Sequence, residues 1–158
     1  RSATPQLSVA RHVPMAKLPT RSPTHQDVEP SRLATMGLEL EDIATDGEVA
    51  LPALIELAED RGRPASHYLA ALALASELRV ASDAPLVVRV CAGTCQRYGA
   101  LDLLDHLVDR ASQRFAIMPV SCLDRCDLAP ACEVHGDHGV LVIAPATTTA
   151  LDEAVGSL

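Results

Sequence analysis

Four cysteines in two matched pairs are the side chains best suited to chemistry in this chain. Cys91 and Cys95 stand in VCAGTCQRYGA, and Cys122 and Cys126 stand in SCLDRCDLAPAC. Both pairs are spaced C-x3-C, and each follows a strand-like apolar run. Four thiols admit disulfides, a zinc site, an iron–sulfur cluster or plain burial. Zinc knuckles prefer C-x2-C. Disulfide-exchange enzymes want C-x-x-C at a helix N-terminus, a motif this chain lacks. A [2Fe–2S] cluster also takes four cysteines, around a core wider than one ion. Cys132 makes the total five, and an odd number sits badly with a simple disulfide framework.

The elements around the pairs predict how they meet. PLVVRV is a β-branched run suited to a buried strand, and FAIMPV is a second strand. Between them GALDLLDHLVDRASQR carries Leu101, Leu104, Leu107, Val108 and Ala111 on one helical stripe. A strand–helix–strand unit makes the two strands parallel. The loops after both strands then emerge at one sheet edge, the carboxyl ends, where α/β proteins place their sites. CEVHGDHGVLVI reads as a two-stranded hairpin through the His-Gly-Asp-His-Gly turn. TTTALDEAVGSL reads as a closing helix capped by the hydroxyl of Thr147, Thr148 or Thr149. The expected fold class is α/β, with a four-stranded mixed sheet on the thioredoxin-like plan over residues 83–158.

Residues 46–82 predict a helical hairpin. Leu51, Leu54, Ile55 and Ala58 recur at helical spacing before a stop at Gly62. Leu69, Leu72, Ala73, Ser76 and Val80 do the same after Pro64. Residues 1–45 read as an extended N-terminal arm draped over a partner. Their first 32 residues hold five prolines and no periodic apolar pattern.

Composition narrows the function. The net charge of −8 argues against phosphate-backbone binding, and 2% aromatics argue against base stacking. No apolar run approaches the ~20 residues of a membrane span. No secretory signal pattern is present, so cytoplasmic residence is the expectation. In that compartment cysteine clusters more often mean metal or redox chemistry than structural disulfides.

CAGTCQRYGALDLLDHL, SCLDRCDLAPACEVHG and VIAPATTTALDEAV together resemble the thioredoxin-like [2Fe–2S] subunit of NADH-linked oxidoreductases. That family includes the 24-kDa-type subunit of respiratory complex I, the diaphorase subunit of NAD-linked hydrogenases and the gamma subunit of NAD-dependent formate dehydrogenases. The resemblance covers about residues 50–158, and C-x3-C followed by Leu-Ala-Pro is its most specific part. It departs from the family in the first pair, which is usually C-x4-C, in a shorter link between the pairs, and in a missing segment before PLVVRV.

The resemblance implies that Cys91, Cys95, Cys122 and Cys126 are the ligands of one [2Fe–2S] cluster. It implies an electron-transfer subunit, non-catalytic alone, in an NAD(P)H-linked complex of formate dehydrogenase or hydrogenase type. FMN and NAD(H) would sit on a flavin/NAD-binding partner subunit, with further iron–sulfur or catalytic subunits beyond it. The rival readings are a zinc-stabilised structural or interaction subunit and a thiol–disulfide enzyme. Cys132 reads as a small buried strand residue, and His135 and His138 as a polar hairpin tip. His67 and His106 fall on helices, facing solvent or a partner.

Overall fold

The computed structural model describes residues 27–111 and 114–157. The expected arm therefore lies mostly outside the described residues, but its last third does not behave as an arm. Pro30–Ile43 forms a helix, α1. Pro30 starts it, where a missing N–H costs nothing. Leu33, Met36 and Leu40 fall on one buried stripe with Gly37. A Cβ on Gly37 would lie 2.5 Å from the Ala75 carbonyl oxygen. The glycine is thus what lets α1 approach the chain just past α3.

The expected hairpin is present as α2, Leu51–Asp60, and α3, Ala65–Leu74. Gly62 turns the chain between them at φ +65°. The second helix ends six residues before Val80, short of the predicted stripe. Val80 instead lies in β2, Arg79–Ala81, which pairs in parallel with β1, Glu48–Ala50. Three-residue strands are too short to leave a period-two signature, so the sequence reads them as helix ends. Helix α3 is buried nearly all round because it packs against α1, α2 and α4. Its first turn is held by Asp105, which accepts from the Ser66 N–H at 3.0 Å and the Ser66 hydroxyl at 2.9 Å. Glu39 of α1 accepts from Tyr68 at 2.7 Å and pairs with Arg61 at 2.9 Å.

The rest is the α/β unit. β3, Leu86–Cys91, leads through a 3-10 turn into α4, Ala100–Arg110, and then β4, Phe115–Val120. β5, Cys132–Gly136, and β6, Gly139–Ile143, form the hairpin, and α5, Thr148–Ser157, closes the chain. The sheet order is β4-β3-β5-β6, with β3 and β4 parallel and the other pairs antiparallel. Val88, Val90, Ile117 and Val134 point from the sheet into a core closed by Leu101, Leu104 and Leu107 of α4 and Leu151 of α5. Each such side chain is worth ~1.5–3 kcal/mol on burial. The Thr147 hydroxyl accepts from the Ala150 N–H at 3.1 Å and caps α5, as the sequence predicts. His106 and Arg110 both reach Asp152 at 2.9 Å and tie α4 to α5. The two helices therefore cover one face of the sheet and leave its carboxyl end free for loops. Among the described residues no helix is long and apolar enough to cross a membrane.

Candidate metal centre at the sheet end

Parallel pairing of β3 and β4 sets Cys91 opposite Val120, so the two cysteine segments leave the sheet side by side. Cys91 is the last residue of β3 rather than part of the loop after it. The ladder continues past it: the Ala92 N–H donates to the Val120 carbonyl at 2.7 Å, and the Cys91 N–H to the Ala131 carbonyl at 3.1 Å. The first segment is thus bonded on both sides. At Gly93 it comes so close to the second that a Cβ would press into the Ser121 carbonyl. Glycine is required here for space.

After Gly93, Thr94–Tyr98 form the 3-10 turn that carries Cys95. Gly99, at φ +103°, stops that turn and starts α4, a left-handed step that favours glycine. In the second segment Asp124 takes φ +58°, which Asp tolerates better than most residues. That bend aims the Asp124 N–H at the Cys122 sulfur, 3.2 Å away. Cys126 then opens a short 3-10 turn, Cys126–Leu128.

The structure brings all four predicted cysteines to this one end of the sheet. Cys91 and Cys95 are buried, whereas Cys122 and Cys126 are exposed. The Cys91 thiol is pulled down to about 6, first because the Cys95 thiol donates a hydrogen bond to it. Backbone N–H groups of Gly93, Cys95 and Leu123 add to this, against the opposing effect of burial. Cys95 is correspondingly pushed up, because the proton it donates to Cys91 is held in place and the site is buried. Cys126 is also raised, by partial loss of solvent around its sulfur and then by the neighbouring Cys122 thiol. Within each C-x3-C segment the two thiols thus influence one another's ionisation. Charge on Cys91 also raises Cys126, a smaller effect than the loss of solvent and Cys122. Among the described residues no three His, Cys, Asp or Glu side chains are gathered as a single ion would need.

The other predicted candidates are not on the two C-x3-C segments. Cys132 starts β5 in the core, and burial, then the charge of Cys91, pushes it up to about 12. His135 meets Glu133 at 2.9 Å, and Glu133 also meets Arg89 at 3.2 Å across the sheet. His138 is exposed in the β5–β6 turn, at the opposite end of the sheet from the thiols. His67 lies on α3, and His106 is engaged by Asp152.

Two residues of the site were not singled out from sequence. Gly93 had a signal, since a glycine between paired cysteines marks close backbone approach. Gln96 had none. It is 4% exposed and one of two buried polar residues, Ser66 being the other, among those described. Its partner is the Val28 N–H, 68 residues away in the chain. No protein-family model matches the chain, and no curated protein matches it.

Proposed function

We propose that this chain is an electron-transfer subunit holding one [2Fe–2S] cluster at Cys91, Cys95, Cys122 and Cys126. Convergence of the two C-x3-C segments at one end of a parallel strand pair carries the reading. The donor set fits the group: four thiols on two segments that leave the sheet side by side, with backbone N–H groups directed at Cys91 and Cys122. The sheet order supports assigning the thioredoxin-like plan to residues 83–157. The cluster, when bound, supplies one-electron transfer.

The chain's own residues set its conditions. Cys91 is already disposed to be a thiolate, whereas Cys95 and Cys126 must each release a proton on binding. N–H groups of Gly93, Cys95, Leu123 and Asp124 offset negative charge on sulfur, which raises a potential that thiolates lower. The buried first pair faces the core, and the exposed second pair is open to a docking subunit. In this reading the electron partner is the flavin- and NAD-binding subunit of a cytoplasmic oxidoreductase of formate dehydrogenase or hydrogenase type. Hydride chemistry belongs to that partner, and the chain alone has no dehydrogenase activity.

The test is iron and acid-labile sulfide on the full chain purified without oxygen, with electron spin resonance after dithionite. About two irons, two sulfides and an S = 1/2 signal are expected. Zinc at one per chain with no iron would make this a structural subunit instead.

A further inference from the structure

The segment entering α1 is fastened to the first cysteine loop by two side chains. The Val28 N–H donates to the Gln96 Oε1 at 2.9 Å, and the Gln96 Nε2 donates to the Ala92 carbonyl at 2.7 Å. Beside this bridge Arg97 Nε reaches Asp27 Oδ2 at 2.6 Å. Ala92 follows Cys91, and Gln96 follows Cys95. One amide therefore spans the loop from one ligand to the other and joins it to residue 28. Its orientation is fixed chemically, since a backbone N–H can only donate and a carbonyl can only accept.

We propose that Gln96 is a positioning residue for the Cys91–Cys95 pair, and that it couples the pair to the Asp27–Val28 segment. The coupling rests on the iron–sulfur reading for its purpose and not for its geometry. Without Gln96 the Val28 N–H and the Ala92 carbonyl lose a buried partner, and the loop opens more often. Movement of the entering segment, as when residues before it engage a partner, is then felt at the thiols. The exposed pair lies outside this route.

The chain carries its own controls. Cys91 at the end of β3 and Cys95 in the turn after it are buried, Cys122 and Cys126 are exposed, and Cys132 is buried at the start of β5. Each thiol of the reduced, iron-free full chain is alkylated with iodoacetamide, and its rate is read by mass spectrometry. Gln96→Leu removes both bonds, and Gln96→Glu keeps the acceptor for Val28 but sets a carboxylate against the Ala92 carbonyl. Val28→Pro removes the donor from outside the loop. Each variant should raise the rates of Cys91 and Cys95 on the order of tenfold, the effect of losing one buried hydrogen bond. Cys122, Cys126 and Cys132 should stay near their wild-type rates. The Gln96→Leu, Val28→Pro double variant should be no faster than the faster single one, because both cut the same bridge.

Unchanged Cys91 and Cys95 rates in the Gln96 variants would overturn the positioning role. Equal acceleration at Cys132 would reduce it to general destabilisation. Wild-type rates in Val28→Pro alone would overturn the coupling. All of these readouts are independent of whether iron binds, so they separate from failure of the cluster itself.

Discussion

Gly93→Ala is the sharpest probe of the converging loops. The added methyl would press into the Ser121 carbonyl oxygen and sit 3.4 Å from its carbon, both backbone atoms with no rotamer to yield. Overpacking of this kind costs ~1–3 kcal/mol. Relief by separating the loops strains the Ala92–Val120 hydrogen bond, worth about 1 kcal/mol. The loss should total roughly 2–4 kcal/mol, against ~5–15 kcal/mol for a whole domain. The variant should therefore still fold, with a lower urea midpoint and sharply reduced iron after anaerobic reconstitution. Gly136→Ala is the internal comparison. Its methyl would meet only the Leu86 side chain, at 2.8 Å, and Leu86 can rotate away. That variant should cost under ~1 kcal/mol and keep full iron. If Gly93→Ala has a wild-type midpoint and full iron, the two loops do not meet as described.

Other perturbations test the supports of the site. Asp105→Ala removes both acceptors of Ser66 and should destabilise by ~1–2 kcal/mol in urea denaturation, with little effect on thiol reactivity. Cys132→Ala should retain full iron and lose about 1 kcal/mol, and loss of the cluster would make Cys132 a ligand. Tyr68→Phe should cost about 1 kcal/mol near neutrality, since Glu39 keeps Arg61. Burial, then the Glu39 hydrogen bond, raises the Tyr68 phenol above 10.0. The folded state thus holds a proton that the unfolded chain releases. This contribution is complete below pH 10 and lost as pH rises through the folded value. Above pH 10 wild-type stability should fall faster than that of Tyr68→Phe, and parallel curves would contradict the contact.

The pieces with strong periodicity are legible in the chain before any folding. The β-branched runs at PLVVRV and FAIMPV and the leucine stripe of α4 are long enough to declare their type. Their order makes the strands parallel, and parallel strands put both cysteine pairs at one end. Threonine chemistry placed the start of α5. Tertiary structure decided the rest. α1 has a legible stripe at Leu33, Met36 and Leu40, but it begins in a proline-rich stretch and gains its stability from packing on α3. β1 and β2 exist only because α2 and α3 return the chain beside itself over three residues. The burial of one cysteine pair and exposure of the other follow from which loop lies under its neighbours. Gln96 looked like any polar loop residue, because a buried amide is defined by its partners, and one of them lies 68 residues away.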